Sequence, residues 1–355
     1  MPHFTTLCKV WYNSNTDVYF SWKYLYNLRH QGGGFTMNVF IFLGCVLTIV
    51  RDFSKANAIT HSGRFHPDDI FSSLIVLLLS GNVRLARVPE INKEMISKPK
   101  PPIIFDIGGG AFDHHQANAP IRSNGVRYAS FGLLWKAYGV RILKERYNCS
   151  HSNAVIIADM LDKSFVQAID YEDNKKDKIP TVQVPTLGLS SVIASFYPTW
   201  DNVSPEAEEE AFVRALEIAA VAFNSAILQS IAKLHSKEIV EKAIAESKEH
   251  ILVLPQYVPW KDWLLESTNP KAKDILYVIF PSSRIKGYDI MSVPKRIGSK
   301  FLRKPFPDAW AGLQGMALAQ KINVPLAYFC HLERYMASAC SLEAAKSMAE
   351  LAMVS

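Results

Sequence analysis

The sequence predicts an α/β fold of two domains, in which a larger first domain is followed by a smaller mixed α/β domain. Residues 56–110 show the pattern of a strand, a helix and two further strands, an order typical of a largely parallel sheet. Apolar segments at 251–254, 275–280 and 288–293 have strand composition, and we expect them to form one antiparallel sheet. With 355 residues and 49% hydrophobic composition, the chain is long enough to bury two cores.

The predicted boundaries divide the chain into three segments. Residues 56–203 form the first domain with its linker, and residues 204–355 form a long helical segment and the second domain. Residues 1–55 lack a helical or alternating pattern, which predicts an appended, poorly ordered segment or a mis-assigned start of translation. The apolar run from Asn38 to Val50 is shorter than the roughly 20 residues that span a bilayer, so no membrane association is expected.

Charge and cysteine content bound the class of protein. The formal net charge is +6, and residues 1–55, with five Lys or Arg against two Asp, supply half of it. The main body is therefore nearly balanced, and its bulk charge does not indicate nucleic-acid binding. The five cysteines form no C-x-x-C pair and no disulfide-like framework, which favours reduced thiols in a cytoplasmic protein.

The most informative stretch is Asp106–Gln116, with the sequence DIGGGAFDHHQ. The apolar residues 101–105 before it predict a buried strand, which places Asp106 at the strand end where α/β sheets present their ligands. Three consecutive glycines then permit a tight turn, and Asp113, His114 and His115 follow as potential ligands or proton-transfer groups. A hydrogen-bonded turn without chemistry is the weaker interpretation of this arrangement.

A second polar stretch follows the predicted strand at 58–60. His61 and His66 flank a glycine-containing loop, and Asp68 and Asp69 stand in the first turn of the predicted helix behind it. Helix capping alone explains the two aspartates, since acidic residues favour the first turn, but it does not explain the two histidines.

Histidine and aspartate without cysteine form a hard-to-borderline ligand set. Such a set suits Mn²⁺, Mg²⁺ or Fe²⁺ better than a structural zinc ion. Several carboxylates with a few imidazoles fit a two-metal centre, whose ions lie roughly 3.5–4 Å apart and act on phosphate groups.

These motifs carry a resemblance to a known family. The patterns H-x-x-x-F-H-x-D-D at 61–69, D-I-G-G at 106–109 and D-H-H-Q at 113–116 are similar to those of the melanocyte-proliferating-gene (Myg) family, which is related to the DHH phosphoesterases. Further similar segments are IDYEDN at 169–174, YPTW at 197–200, PWK at 259–261, PDAWAGL at 307–313 and FCH at 329–331. The resemblance covers about residues 56–355 and implies a DHH-like α/β metal-binding domain followed by a smaller mixed α/β domain.

The resemblance implies a role for each polar residue of the motifs. The implied metal ligands are His61, His66, Asp68, Asp106, His114 and Asp170. Asp106 is the carboxylate that bridges both metals, and His115 is the catalytic group nearer the scissile phosphate. Asp113 orients the histidines from behind. Asp173 rivals Asp170 for the last carboxylate position, and Lys175 stands where the family pattern usually has Gly.

The remaining patterns predict connecting helices and a basic surface. Helices are expected at 126–138, at 153–173, and from 204 to about 250, the last with a break or bend because of its length. In the second domain a basic cluster, the histidine of the FCH segment and the arginine three residues later are expected to contact substrate. From sequence alone, a solvated loop explains the cluster equally well, and structural roles explain the histidine and the arginine better. The residues are Lys295, Lys300, Arg303, Lys304, His331 and Arg334.

Together, motifs and resemblance predict a metal-dependent phosphodiester hydrolase with two divalent ions, Mn²⁺ favoured over Mg²⁺. The expected substrate is short nucleic acid, RNA or DNA, cleaved by an exonuclease-like nuclease. Two alternatives remain open: hydrolysis of a small phosphate compound such as a dinucleotide or pyrophosphate, and a metal-binding protein without catalysis. The complete ligand set argues against the last. The oligomeric state is not predicted.

Overall fold

The computed structural model describes residues 38–92, 95, 99–116, 119–174, 188–248 and 250–355. The chain divides into two compact units, with the boundary between Ser230 and Ile231. The boundary therefore lies inside the long helix that follows residue 204, whereas the sequence analysis placed it at the start of that helix. The mixed α/β fold class is confirmed in both units.

The first unit contains a five-stranded sheet with the strand order β1-β2-β4-β3-β5. Its strands are β1 (Asn38–Phe42), β2 (Cys45–Ile49), β3 (Ala58–His61), β4 (Asn82–Val88) and β5 (Ile103–Ile104). Strands β2, β4, β3 and β5 are parallel, and β1 pairs antiparallel at the edge. The predicted strand, helix and two strands at 56–110 are thus confirmed as β3, α1, β4 and β5.

Seven helices belong to or begin in the first unit's described residues. They are α1 (Pro67–Ser80), α2 (Ser130–Tyr147), α3 (His151–Leu161), a π-helical turn (Asp162–Val166), α4 (Gln167–Asp173), α5 (Leu189–Ala194) and α6 (Pro205–Glu246). Helix α1 begins with Pro67 and ends before Gly81, whose φ of +71° is the left-handed C-cap that glycine adopts without strain. Helix α6 is continuous over 42 residues, so the predicted break is absent.

An aromatic core joins the helices of the first unit. The ring of Phe71 in α1 lies 5.0 Å from that of Phe131 in α2, and Phe223 in α6 lies within 5.5 Å of Phe131, Trp135 and Phe165. Offset and edge-to-face contacts of this kind add to the burial of large apolar surfaces. The start of α2 is thereby held against α1, which fixes the backbone N–H groups used at the site described below.

The described part of the amino-terminal segment is a component of the sheet, which contradicts the prediction of an appended segment. Residues 46–49 of β2 pair with residues 82–85 of β4, and Cys45 and Leu47 are buried. Phe40 and Phe42 of β1 are also buried. Residues 1–37 lie outside the described residues.

A chain that begins at Lys55 is therefore expected to be less stable than one that retains β1 and β2. Burial of Phe42 and Leu47 stabilises by about 1.5–3 kcal/mol each, so the midpoint temperature should fall by roughly 10 °C. Thermal unfolding of the two chains measures the difference. Equal midpoints would show that the two strands do not contribute to the sheet in solution.

The second unit contains a sheet with the order β6-β7-β8-β10-β9. Its strands are β6 (Ile251–Val253), β7 (Tyr277–Pro281), β8 (Tyr288–Ser292), β9 (Ala327–Cys330) and β10 (Met336–Ala339). The three strands predicted from sequence are confirmed, but β6 pairs parallel with β7, so the sheet is mixed rather than antiparallel. Its helices are the end of α6, α7 (Lys261–Glu266), α8 (Gly315–Ile322) and α9 (Leu342–Val354).

The second sheet is covered on both faces. Alternate residues of β7 enter different cores: Tyr277 and Ile279 pack with α8 and α9, while Val278 and Phe280 pack with α7 and the end of α6. This alternation follows from the two-residue repeat of a strand. Both faces are apolar, which is why the segment at 275–280 has no polar alternation in the sequence.

Helix α6 is, among the described residues, long and apolar enough to cross a membrane by length and composition. However, 56% of its most apolar window is buried inside the protein, as is usual for a core helix.

Candidate metal centre

Two neighbouring parallel strands carry the first side chains of the site. Strand β3 ends at His61, and β5 continues through Phe105 into Asp106. Because the carboxyl ends of parallel strands meet at one edge of the sheet, His61 Nε2 lies 3.3 Å from Asp106 Oδ2. Asp106 has a φ of +57°, a left-handed conformation that Asp and Asn tolerate better than most residues and that occurs at functional sites.

The first turn of α1 contributes two fully buried carboxylates. Asp68 accepts hydrogen bonds from the backbone N–H groups of Ser130 (3.0 Å) and Phe131 (2.7 Å), which open α2. A helix N-terminus stabilises an anion in this way. Asp69 Oδ2 makes no well-aligned hydrogen bond in the described part of the protein, although it contacts His61 Nε2 at 3.1 Å. A buried carboxylate oxygen without a well-aligned donor is costly unless something else, such as a cation, binds it.

Asp113 organises the loop that carries the two histidines. Its Oδ2 accepts the Gly109 N–H at 2.7 Å, and its Oδ1 accepts the backbone N–H of His115 at 3.1 Å and its Nδ1–H at 2.8 Å. Burial would raise the pKa of Asp113, but these hydrogen bonds lower it below its usual range. The side chain of Asp113 therefore contacts the loop backbone and the imidazole of His115, one of the two histidines that it was expected to orient.

His114 lies at the centre of the carboxylates. Its Nε2 is 3.2 Å from Asp173 Oδ2, 3.3 Å from Asp106 Oδ1 and 3.7 Å from Asp68 Oδ2. Its Nδ1 faces Asn174 Oδ1 at 3.4 Å. Thus residues from α1, β5 and α4 converge on one imidazole nitrogen.

The donor atoms form three overlapping groups, in each of which all ligand atoms lie within 4.8 Å of one another. The groups are Asp106 with His114 and His115, His61 with Asp69 and Asp106, and Asp68 with His114 and Asp173. Asp106 and His114 each belong to two groups, so a shared carboxylate is available between neighbouring cation positions. The set contains oxygen and imidazole donors and no thiolate, which fits Mn²⁺ or Mg²⁺ better than structural zinc.

The hydrogen bonds of the two central histidines leave the correct nitrogen free for a cation. His61 Nδ1 donates to the Ser62 carbonyl at 3.0 Å, and His114 Nδ1 is positioned to donate to Asn174 Oδ1. When these rings are neutral, Nε2 therefore carries the lone pair, and in both rings Nε2 faces the carboxylates. Metal-binding histidines usually have their other nitrogen held in this way.

The charges of the site would favour a bound cation. Burial, and the charges of Asp106 and Asp173, raise the pKa of Asp68 well above its usual value. Burial would lower the pKa of His61, but its contacts with Asp106 and Asp69 outweigh that effect and raise the pKa to about 10. Protonated imidazoles thus balance the carboxylates, and a divalent cation would take over that role by replacing their protons.

Comparison with known proteins agrees with this arrangement of motifs. Residues 57–353 match the family model MYG1_exonuc, described as "Uncharacterised protein family (UPF0160)". The chain belongs to this family. Strands β1 and β2 lie outside the matched range, whereas every residue of the three ligand groups lies inside it.

Relatives of this family occur in distant organisms. The chain is 28% identical to the MYG1 protein YER156C of Saccharomyces cerevisiae over 83% of this chain and 94% of the relative. It is 26% identical to a MYG1 protein of Dictyostelium discoideum over 82% of this chain and 94% of the relative. A MYG1 protein of Caenorhabditis elegans is 25% identical over 83% and 94%. No solved structure matches the chain with significance.

The structure separates Asp170 from Asp173, the two rivals for the last carboxylate. Asp170 is fully buried, accepts the Gly132 N–H at 3.0 Å and pairs with Arg122 Nη2 at 2.7 Å. Burial raises the pKa of Asp170 to about 7 even though Arg122 opposes the shift. Asp170 belongs to none of the three ligand groups among the described residues, whereas Asp173 belongs to one, which favours Asp173 for the last carboxylate position.

This distinction is testable by substitution. Asp173→Asn should weaken metal binding by at least about 10-fold, because even partners behind the ligands are worth roughly 10–100-fold in affinity. Asp170→Asn should keep the wild-type metal content and lower the midpoint of thermal unfolding instead. Calorimetric titration with Mn²⁺ and a melting curve of each variant measure both effects. Loss of metal in Asp170→Asn with full binding in Asp173→Asn would reverse the assignment.

His66 lies beside the ligand groups rather than in one of them. Its ring centroid is 5.7 Å from that of His61, its side chain is exposed, and its backbone N–H donates to Asp69 Oδ1 at 2.8 Å. Within the described residues it does not complete a group of three ligands, although the resemblance implied that it would.

Two site residues were not assigned by the sequence analysis. Asp69 had been explained as a helix cap, and Asn174 had been noted only as part of a motif. The sequence signal for Asp69 was its place as the second acid of the H-x-x-x-F-H-x-D-D pattern, but its complete burial is visible only in the structure. Asn174 could not be assigned because its contact with His114 spans 60 residues of sequence.

The expected substrate contacts of the second unit divide into two kinds. Arg303 Nη1 donates to the carbonyls of Ala272, Lys273 and Ile275, which makes it a structural residue rather than a free cation. Arg334 pairs with Asp308 at 2.6 Å and donates to the Phe306 carbonyl. His331 Nδ1 accepts the Glu333 N–H at 3.0 Å. Lys295, Lys300 and Lys304 remain predicted substrate contacts.

Proposed function

We propose that this chain is a metal-dependent phosphodiester hydrolase, an exonuclease-like nuclease that acts on short nucleic acid, with RNA favoured. The observation that supports the proposal most directly is the overlap of three ligand groups at Asp106 and His114, at the edge where the parallel strands end. The name of the family model, MYG1_exonuc, is consistent with a nuclease. A cytoplasmic location is part of the same proposal, and the four cysteines of the described residues, which are free, are consistent with it.

Four carboxylates and two imidazoles would hold two divalent cations, for which we favour Mn²⁺ over Mg²⁺. The proposed ligands are His61, Asp68, Asp69, Asp106, His114 and Asp173. When bound, such cations provide a nucleophile from water at neutral pH and offset the charge of the reacting phosphate. The chain itself contributes the fixed positions of the ligands, which α1, α2 and the ends of two strands determine.

His115 is the proposed catalytic group of the chain, and Asp113 is its positioning residue. The side chain of His115 is 65% exposed although its neighbour His114 is buried, so it faces the side from which a substrate approaches. Its Nδ1–H donates to Asp113 Oδ1, which leaves Nε2 directed away from that carboxylate and available to a phosphate or leaving-group oxygen.

Metal analysis combined with a hydrolysis screen tests the proposal. Purified protein is expected to contain about two ions and to hydrolyse oligonucleotides with Mn²⁺, with weaker action on dinucleotides and pyrophosphate. His115→Ala should keep the metal and lower kcat by roughly 100-fold or more, as loss of a proton-transfer group does. His151→Ala, at an exposed histidine that opens α3, is the matched control. Metal-loaded protein without action on any phosphate ester would contradict catalysis and favour a metal-binding role through partners.

Hydrolysis of a small phosphate compound is the second candidate, and one observation favours it. Arg303, one of the four cations expected to follow a nucleic-acid backbone, is used to hold three backbone carbonyls. With fewer free cations, the protein is predicted to contact fewer phosphates of a nucleic-acid backbone. If kcat/KM does not rise with oligonucleotide length in the same screen, this candidate is preferred.

A further inference from the structure

Residues 293–303 form a short hairpin that projects from the second sheet, and we call it the basic hairpin. The Arg303 N–H donates to the Val293 carbonyl at 2.7 Å, and the Lys295 N–H donates to the Phe301 carbonyl at 2.8 Å. A turn closes the hairpin, with the Ser299 N–H donating to the Arg296 carbonyl at 3.1 Å. Its backbone is therefore ordered by its own hydrogen bonds.

The base of the basic hairpin is fixed to the second unit. Val293 and Pro294 are buried, and the guanidinium of Arg303 joins the hairpin to the carbonyls of Ala272 and Ile275 at 2.7 and 2.8 Å. A surface on such a base loses little conformational entropy when it binds a partner.

The tip of the basic hairpin combines cations with an exposed aromatic ring. Lys295, Arg296 and Lys300 are exposed and make no ion pair with an acid among the described residues. The acids that flank the segment in sequence are already paired, Asp289 with Arg284 and Asp308 with Arg334. Phe301 is 75% exposed and Ile297 is 49% exposed. A phenyl ring so open to water has no role in the core.

The hairpin places the three cations close to the ring. Lys295 lies opposite Phe301 across the hairpin, where its N–H donates to the Phe301 carbonyl. Lys300 is the neighbour of Phe301 in sequence, and Arg296 is the neighbour of Lys295 at the start of the turn. A hairpin that inserts into a membrane would have several apolar side chains at its tip. Here Gly298 and Ser299 occupy the turn and only two apolar side chains of the hairpin are exposed, which argues against membrane insertion.

We propose that the basic hairpin is a binding site for single-stranded nucleic acid, with a base stacked on Phe301 and phosphates bound by Lys295, Arg296 and Lys300. Every base has a π-face, so stacking on one aromatic ring binds single strands with little sequence preference, and neighbouring cations follow the backbone. The site deepens the proposed function, because it assigns the substrate class of that nuclease to a surface outside its metal centre.

Binding of the full chain to fluorescently labelled single-stranded RNA tests this site without catalysis. Binding is measured by fluorescence anisotropy with RNA strands of about 4 to 16 nucleotides, at low and at high salt. EDTA removes divalent ions, so that the RNA is not hydrolysed during the measurement. Phe301→Ala should weaken binding by about 5-fold or more, and Phe301→Trp should restore it, since loss of one stacked base is worth about 1–3 kcal/mol. Neutralising Lys295, Arg296 and Lys300 to Gln should reduce the slope of log K against log salt by about 2. Met316→Ala and Lys321→Gln, at exposed positions of α8, are the matched controls.

The outcomes separate this inference from the proposed function. Binding and salt slope unchanged in the hairpin variants, while the wild type hydrolyses oligonucleotides, would overturn the site and leave the nuclease intact. Hairpin-dependent RNA binding by a protein that hydrolyses nothing would support the site and overturn the nuclease. Binding to vesicles with phosphatidylserine that needs Ile297 and Phe301, without RNA binding, would overturn the site in favour of a membrane surface.

Discussion

Asp106→Asn should remove the metal from the protein and abolish hydrolysis together. Asp106 serves two of the three ligand groups, so its loss affects both cation positions at once. Loss of several kcal/mol of transition-state stabilisation would lower the rate by roughly 100-fold or more. Asn is the appropriate replacement because the residue has a φ of +57°, which Asn tolerates and Ala does not. Elemental analysis and the rate with Mn²⁺ measure the two losses.

Asp289→Asn is the matched control for this experiment. Asp289 is 5% exposed and Asp106 is 4% exposed, and both accept contacts from cationic or hydroxyl side chains. Asp289 lies in the second unit and belongs to no ligand group of the described residues. If Asp106→Asn retained two ions, or if Asp289→Asn lost them equally, the assignment of the bridging carboxylate would be wrong.

The edge position of the site could be predicted from sequence because it depends on short stretches. A buried strand followed by Asp106, and another that ends at His61, must bring these residues together if the strands are parallel neighbours. The same applies to Asp113, whose hydrogen bonds to Gly109 and His115 span only a few residues. These positions could be predicted because each depends on residues that are close together in the sequence.

The choice between similar carboxylates could not be predicted because it depends on contacts distant in sequence. Asp170 and Asp173 are one helical turn apart, and a π-helical turn just before α4 shifts the face that each presents. Asp170 has a structural role because it forms a buried ion pair with Arg122, which lies 48 positions earlier in the sequence. Arg122 also pairs with Asp162 at 2.6 Å. Composition and periodicity contain no signal for such a pairing.

Charge counts and polarity patterns did not predict the role of Arg303 or the strands β1 and β2, because these also depend on partners distant in sequence. Arg303 counted as one cation of a basic cluster, but its partners are backbone carbonyls, which have no sequence signature. Strands β1 and β2 form an apolar run without polar alternation in the sequence, because they contribute to a buried sheet in which the next strand, β4, follows more than 30 residues later. The fold class was predicted, but the edge of the first sheet was not.

Gly132→Ala should destabilise the first unit severely, because the first turn of α2 has no room for a side chain. A Cβ at this position would lie 1.9 Å from Asp170 Oδ2 and 2.8 Å from Arg122 Nη2. Overpacking of a buried site costs about 1–3 kcal/mol and sometimes more, and here it would also disturb the buried ion pair. Gly188→Ala, where a Cβ meets no atom within 4 Å, is the control and should leave the free energy of unfolding nearly unchanged.

A double-mutant cycle with Asp170→Ala isolates the cause. Once the Asp170 carboxylate is removed, Gly132→Ala loses its shortest clash, so its cost should fall by about 0.5–3 kcal/mol, the range for residues in direct contact. Urea unfolding of the four proteins gives the coupling energy, and metal content per folded molecule should remain at the wild-type level in Asp170→Ala. Additive costs would mean that Asp170 does not fill the space beside Gly132. If Asp170→Ala alone lost its metal, Asp170 would return to the ligand set. If it kept its metal and the cycle gave a large coupling energy, the first turn of α2 would bind two aspartates with different roles, Asp68 at the metal centre and Asp170 in the core.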